Sequence, residues 1–499
     1  MSWVSVEDFS YTYPGEEKPV LKNINLEFKK GDFIVITGVS GSGKSTLGKA
    51  MAGFLYHDEE PRISGSIIVN GFNMAELPLY DACERVAYVQ QNPEDQFCTL
   101  SVKDEIAFAL ENACSPPDFI EEQITHALTS VNGLDLIDRL LHTLSGGEKQ
   151  KVAIASLLVV EPDVIILDEP TSNLDPDSTY IVLSALNELL KSRSLTVVII
   201  EHKLSQLIKF AAKIFTIEFG SVVPMKRYPD EQHLCPEIPG SNNRQFLLQN
   251  YRKTPSIEIT ELNLDLNSKQ VLNNVNLKFY PGEFVAIMGP NGSGKSTLLL
   301  SMMKLYWPMH GSVKVYGQDL IHTKTSDLVH KIGFVFQNPD HQLFTNTVWD
   351  EATMVLRNLT LFTPQMNEIA SMKLSENGLG NRSQDHPQRL SYGEKRRLNL
   401  IAVILHEPKI LLIDEFLIGQ DEGNAHKWMR WFQNYASNGN TIIAVNHSIN
   451  LAQIYCDRLV FLDHGEVIIN SPISNAIEKL ELYGYKNYLP EFSGDYASV

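Results

Sequence analysis

Two lysines in this chain each close a loop that could grip a phosphate. Lys44 lies in Gly38-Val39-Ser40-Gly41-Ser42-Gly43-Lys44-Ser45-Thr46, and Lys295 in Gly289-Pro290-Asn291-Gly292-Ser293-Gly294-Lys295-Ser296-Thr297. Glycine at the bends removes the Cβ atoms, so that backbone N–H groups can wrap phosphate oxygens. The lysine ammonium would then reach β- and γ-phosphates, and the hydroxyl of Ser45 or Ser296 would ligate Mg²⁺. One such loop arises by chance in roughly a few per cent of chains this long; two in register do not. Behind each loop, an apolar run ends in paired carboxylates: Val164–Leu167 before Asp168 and Glu169, Ile410–Ile413 before Asp414 and Glu415. The chemistry offered is one carboxylate for a metal ion and one for an attacking water. Taken alone such a pair is more often a helix cap or a solvated turn; the P-loop and the Leu-Ser-x-Gly-Glu segment ahead of it decide for chemistry.

These residues need strands to deliver them and helices to receive the phosphate. Phe33–Thr37 and Phe284–Met288 are apolar strands leading into the loops, and a helical pattern follows each, which is the context a P-loop requires. Further aliphatic runs, Thr196–Ile200 and Thr441–Val445, read as buried parallel strands that end in His202 and His447. Leu144-Ser145-Gly146-Gly147-Glu148 and Leu390-Ser391-Tyr392-Gly393-Glu394 each open a helix, so a serine hydroxyl and free N–H groups collect at a positive helix end. Ile120, Ile124, Ala127, Leu128 and Val131 recur at helical spacing and predict a helical insert running to about Leu141, with a counterpart before Leu390. The opening stretch of each half alternates apolar and polar residues, as half-buried strands do.

The halves are duplicates. Val20–Phe28 matches Val271–Phe279, and Val86–Gln96 matches Ile332–Gln342; Lys44 and Lys295 lie 251 positions apart but Gln91 and Gln337 only 246, so the second half has lost five residues in between. We expect one domain over residues 1–228, a Pro-, Asn- and charge-rich linker over 229–255, a second domain over 256–485 and a polar, aromatic tail over 486–499. A hydrophobic content of 43% with 20% charged residues describes a globular chain. No apolar run approaches the roughly 18 residues that span a bilayer, and the N-terminus lacks the features of a signal peptide, so a cytosolic location is expected. The formal charge of −18 opposes both nucleic-acid backbones and anionic lipid. Five cysteines without C-x-x-C spacing indicate neither a zinc site nor a disulfide framework.

The order P-loop, glutamine, Leu-Ser-x-Gly-Glu signature, Asp-Glu pair and histidine, present twice, resembles the ATP-binding cassette (ABC) ATPases over nearly the whole chain. The resemblance implies an α/β fold: two tandem P-loop domains, each a RecA-like core with an N-terminal antiparallel β subdomain and a helical signature subdomain. It implies ATP and Mg²⁺ as cofactors, with Ser45, Gln91 and Asp168, or Ser296, Gln337 and Asp414, on the metal. Glu169 and Glu415 would be the catalytic carboxylates, with His202 and His447 on the γ-phosphate. Tyr13 matches the aromatic that stacks on adenine, with Tyr11 as the alternative. In this family two such domains pack head to tail, so one site would join Lys44 and its partners to Ser391 and Gly393, the other Lys295 and its partners to Ser145, Gly146 and Gly147. The duplication would supply this pseudo-dimer within one chain.

The halves depart from the pattern differently. Tyr392 replaces the signature's first glycine, which predicts backbone strain there if φ is positive; Phe416–Asp421 loses the form that Pro170–Asp175 keeps; Leu266 stands where the first half has Tyr13. The segments Gln91-Asn92-Pro93-Glu94-Asp95-Gln96-Phe97 and Gln337-Asn338-Pro339-Asp340-His341-Gln342-Leu343-Phe344 resemble ATPases of energy-coupling factor (ECF) transporters, where this segment receives coupling helices of a membrane partner. That implies a peripheral protein at the cytoplasmic face of the cell membrane, bound to an integral membrane coupling protein and a substrate-capturing membrane protein. Its cargo would be a vitamin, a precursor such as that of thiamine, or a transition-metal ion. Alternatives are another ABC transporter type or a soluble tandem ABC protein acting on ribosomes or DNA. The linker is short and not basic, only about 100 residues separate Lys44 from Ser145 with no sustained heptads, and no iron–sulfur cysteine cluster exists.

Overall fold

Strands made of Val, Ile and Leu on both faces can be stable only where helices or a second sheet cover both sides, and both halves meet this demand in the same way. The computed structural model describes residues 2–39, 41–57, 62–91, 93–144, 146–171, 174–193, 195–201, 204, 207–208, 210–225, 254–266, 269–418, 420 and 422–490. The chain divides into two units, residues 1–230 and 231–499.

In the first unit a six-stranded sheet runs in the order Ser221–Pro224, Lys213–Glu218, Phe33–Gly38, Thr196–Ile200, Val164–Asp168, Val86–Val89. The last five are mutually parallel where they pair. The P-loop, the histidine strand, the acidic strand and the glutamine therefore leave the sheet at one edge, the carboxyl ends, where open α/β sheets bind ligands. The second unit repeats this: Ile332–Val335, Ile410–Asp414, Thr441–Val445, Phe284–Met288 and Arg458–Asp463 are parallel, and Glu466–Pro472 closes the sheet antiparallel.

Alternate residues of the P-loop strand pack into different cores. Phe33 and Val35 face the helices, while Ile34 and Ile36 face Leu47 and the antiparallel sheet. That sheet orders Leu21–Phe28, Val4–Thr12, Arg62–Val69 and Phe72–Asn73, and its counterpart orders Lys269–Phe279, Ile257–Leu266, His310–Val315 and Gln318–Asp319. The registers coincide: Val4 pairs Phe28 as Ile257 pairs Phe279, and Tyr11 pairs Leu21 as Leu264 pairs Leu272. Two residues further on, Tyr13 and Leu266 thus occupy equivalent places.

The helical insert differs in detail from the pattern reading. The segment Pro117–Ser130 is a helix that buries Ile124, Ala127 and Leu128, but it stops there, with Asn132 at φ 50°, and short 3-10 turns carry the chain to Thr143. A second helix, Val102–Asn112, precedes it, started by Ser101, whose hydroxyl accepts from the Asp104 N–H. In the second unit Val348–Asn358 and Pro364–Glu376 play these parts around a separate core of Val348, Leu356, Leu374, Leu398 and Ile401. No helix among the described residues is long and apolar enough to cross a membrane.

Candidate functional site

Each P-loop is bent by glycines, the first of which no other residue could replace without movement. Gly38 has φ 147° and Gly289 φ 144°, and each opens a helix, Lys44–Met51 or Lys295–Met302, behind a left-handed glycine. A Cβ on Gly289 would lie 1.9 Å from the Leu462 carbonyl oxygen, whereas one on Gly292, at φ 79°, would meet nothing within 4 Å. Gly289→Ala should therefore lose nucleotide binding by the second unit and destabilise it by at least about 2 kcal/mol, against about 1 kcal/mol for Gly292→Ala. Urea unfolding of the two variants checks this.

The ammonium of Lys44 donates to the carbonyls of Gly38 and Val39 at 2.9 and 3.1 Å, and that of Lys295 to Gly289 and Pro290 at 2.9 and 2.7 Å. Both side chains are buried, so these carbonyls compensate a charge removed from water. The hydroxyls of Ser42 and Ser293 are buried with no hydrogen-bond partner among the described residues. Such donors aimed into a loop suit phosphate oxygens.

The acidic pairs sit beside the loops. Burial pushes the Asp168 carboxyl up, opposed by hydrogen bonds from Tyr88, at 2.7 Å, and from Ser45. Phe334 replaces Tyr88 in the second unit, and burial with the neighbouring Glu415 charge pushes Asp414 up to about 7, against the hydrogen bond from Ser296 and the charges of Lys295 and Arg396. Oδ1 of each aspartate is buried and unpartnered among the described residues. A serine hydroxyl on an aspartate with a spare oxygen is the donor set a divalent cation with phosphate ligands takes, so the residues fit Mg²⁺.

Glu169 and Glu415 occupy left-handed backbone, φ 49° and 50°, the kind of uncommon conformation that concentrates at functional sites. Gln91 Nε2 donates to Glu169 Oε2 at 2.6 Å, and Gln337 Nε2 to Glu415 Oε2 at 2.6 Å. The other oxygen of Glu415 lies 2.8 Å from His447 Nε2. Burial pushes Glu415 up, but His447, Lys295 and Arg396 outweigh it and bring the carboxyl to about 2. A charged carboxylate fixed through both oxygens can orient a water and draw a proton from it. The structure thus brings P-loop, aspartate, glutamate, glutamine and, in the second unit, histidine together; His202, Ser40 and Ser145 lie outside the described residues.

Tyr11 is buried in the core, and Tyr13 beside it is 37% exposed with its hydroxyl 2.9 Å from that of Thr46. The ring with a free face next to the P-loop is Tyr13.

The signature helices are Gly146–Leu158 and Tyr392–Ile404. Ser391 and Glu394 form a capping box, and Arg382 bonds Glu394 at 3.0 Å as Arg139 bonds Glu148 at 2.8 Å. The expected strain at Tyr392 is absent: it is the first helical residue, not at positive φ, and its ring turns back onto Arg396 of the same helix. Among the described residues no hydrogen bond links Gly146, Gly147, Ser391 or Gly393 to the P-loop of its own unit. The second glutamine of each segment, Gln96 and Gln342, has a structural part: its amide oxygen accepts from the N–H group of Gln90 or Phe336 at 3.4 Å and staples the loop to its strand. The residue the motif reading missed is Arg396, which stands where the first signature helix has Gln150; setting the two helices side by side shows the difference but not its burial.

The family model described as ABC transporter matches residues 21–172 and 272–417. The chain is similar to a Methanosarcina mazei protein named as an ABC transporter ATP-binding protein, 31% identical over 96% of this chain and 90% of the relative. It is similar also to a Bacillus subtilis protein named as an HMP/thiamine import ATP-binding protein, YkoD, 31% identical over 94% of this chain and 91% of the relative. Among solved structures, CbiO1 of Clostridium perfringens, described as part of the ABC transporter complex cbiONQ, is 32% identical, covers 44% of this chain and 87% of its own, and has a TM-score of 0.41.

Proposed function

We propose, from the premise that this chain belongs to the ABC transporter family and is one of its ATP-hydrolysing subunits, that it energises an importer of the energy-coupling factor type. The observation that carries the proposal is the pair of stapled Gln-Asn-Pro loops. Each joins the edge of the catalytic sheet to the helical subdomain, held by Gln96 or Gln342 and by the ion pairs Lys149–Glu94 and Lys395–Asp340. Beside them stand apolar side chains open to solvent, Leu100 at 77% and Phe344 at 71% exposed. A loop held at these points and flanked by exposed apolar groups suits a partner's helix laid across it. The similarity to a protein named for HMP/thiamine import supports a vitamin precursor as cargo, with a transition-metal ion as the other class.

Lys44 and Lys295 would bind the phosphates; Asp168 with Ser45, and Asp414 with Ser296, would hold Mg²⁺, and Gln91 and Gln337 would complete those shells. Bound Mg²⁺ supplies charge neutralisation on the phosphate oxygens. Glu169 and Glu415 would take the proton of the attacking water, His447 keeping Glu415 oriented. The two units would close head to tail on two ATPs and drive the coupling helices of an integral membrane protein, which in turn serves a substrate-capturing membrane protein at the cytoplasmic face.

Affinity purification of the tagged chain from solubilised membranes tests the reading. Two small integral membrane proteins should copurify; recovery with ribosomes or DNA would overturn it. Phe344→Asp should weaken that association at least about tenfold, since an apolar anchor truncated at an interface is worth upward of about 1.4 kcal/mol, while the isolated chain binds ATP as before. Substitutions at Glu94, Asp340 or Gln342 are poorer probes, because each also breaks an internal contact.

A further inference from the structure

The two signature helices differ where they face the catalytic sheet. At equivalent places the first has Gly146, Gln150 and Ala153, the second Tyr392, Arg396 and Asn399. Arg396 is 2% exposed, the largest fully buried side chain among the described residues. Its Nη1 donates to the Glu415 carbonyl, and its Nη2 donates to the Gln337 carbonyl at 2.7 Å and to the Tyr392 hydroxyl at 2.7 Å. The guanidinium also lies over the Tyr392 ring, 4.8 Å from its centre. One turn on, buried Asn399 donates to the Pro339 carbonyl at 2.9 Å. Among the described residues of the first unit the equivalent place makes no such contacts: Gln150 is buried too, yet its amide nitrogen has no partner there.

Burying a guanidinium is unfavourable unless its donors are used; here Nη1 and Nη2 are spent on two main-chain carbonyls and the Tyr392 hydroxyl rather than on a carboxylate, and Nε has no partner among the described residues. The two carbonyls chosen belong to Gln337 and Glu415, whose side chains meet each other at 2.6 Å. One planar fork therefore fixes the backbones on both sides of that contact. A lysine could reach only one of them with comparable geometry.

We infer that Arg396, braced by Tyr392, is a positioning residue for ATP hydrolysis in the second unit, clamping the Gln337 and Glu415 main chains so that the glutamate carboxylate stands where the attacking water must be. Because the clamp is mounted on the signature helix, it ties that helix to the end of the acidic strand as well as to the glutamine loop, whereas in the first unit the described residues show the helix tied to the loop through Lys149–Glu94. The inference rests on the proposed roles of Glu415 and Gln337.

The test uses the full chain with one catalytic glutamate silenced at a time. In an E169Q chain, where turnover depends on Glu415, R396Q installs the residue the first unit uses. It should lower kcat about tenfold or more, with the KM for MgATP changed less than about twofold, because misplacement acts on the transition state rather than on ATP binding. R396K should recover only part of the loss. In an E415Q chain the same R396Q should change the residual rate by less than about threefold, because there Arg396 acts only through the Tyr392 ring it holds. An undiminished kcat in the E169Q chain, or equal losses in both chains, would overturn the inference, the latter by assigning Arg396 a general structural role. If R396Q does not fold, Y392F, which removes only the bracing hydroxyl, should lower kcat about twofold to threefold at unaltered ATP binding, and an unchanged kcat would count equally against it. An E415Q chain as fast as the parent would overturn the role of Glu415 and the inference with it; an impaired E415Q beside an unimpaired R396Q overturns the inference alone.

Discussion

Replacing Lys44 and Lys295 together by alanine should abolish ATP binding and reduce hydrolysis to background. Each ammonium is buried and donates to two carbonyls of its own loop, so it is held at the phosphate cradle in advance of any ligand. Charge-assisted hydrogen bonds to phosphate are worth about 1.5–3 kcal/mol each, and removing a preorganised donor from a developing charge costs about 10²–10³ in rate. Two sites lost together leave no unit to compensate. Each single variant should keep binding at the intact unit, so titration with a fluorescent ATP analogue should fall from two sites to one and then to none. An unchanged affinity in the double variant would show that the loops are not the nucleotide sites. Thermal unfolding of the same proteins guards against mistaking misfolding for lost affinity.

The core of each unit was legible because chemistry and burial coincide there. A strand buried on both faces must be aliphatic throughout, so Val164–Leu167 and Ile410–Ile413 announce themselves, and the carboxylates at their ends break the pattern at the carboxyl edge of the sheet. The duplication then places Leu266 opposite Tyr13, which the matching strand registers bear out. Helix Val102–Asn112 was missed because its inward residues, Val102, Ile106, Ala107 and Leu110, follow a glutamine loop whose Asn-Pro breaks the window; the signal that could have found it is Ser101 with Asp104 and Glu105 behind it. The strain expected at Tyr392 assumed that a signature glycine needs left-handed backbone, whereas the position is simply the first turn of a helix, which any residue adopts. Arg396 could not be read from the sequence alone. An arginine two positions from a signature glutamate looks like solvent-facing charge, and only the tertiary packing of the helix against Gln337 and Glu415 shows that it is buried.

Glu415→Gln should cost far more turnover than Glu169→Gln at saturating MgATP. Under the head-to-tail closure proposed above, Glu415 acts on the ATP held by Lys295 and faced by Gly146 and Gly147, where no Cβ at the first position limits how closely backbone approaches phosphate. In the same proposal Glu169 would act on the ATP faced by Tyr392, whose side chain is committed to Arg396 and Gln337 of its own unit and would bring bulk to that approach. The altered Phe416–Asp421 stretch adds to the same side, with Gln420 reaching the Gly393 carbonyl at 3.4 Å. Each loss of about 1.4 kcal/mol of transition-state stabilisation slows a site tenfold. One such loss would leave the Glu169 site with roughly a tenth of the flux, so E415Q should fall about tenfold and E169Q by less than about twofold. Leu266 in place of Tyr13 works in the opposite direction, since a missing stacked ring weakens adenine binding by about 1 kcal/mol, but saturation removes that difference from kcat and leaves it in KM. Phosphate release from purified single variants at saturating nucleotide reads the outcome directly, and equal losses, or a larger one from E169Q, would sink the asymmetry.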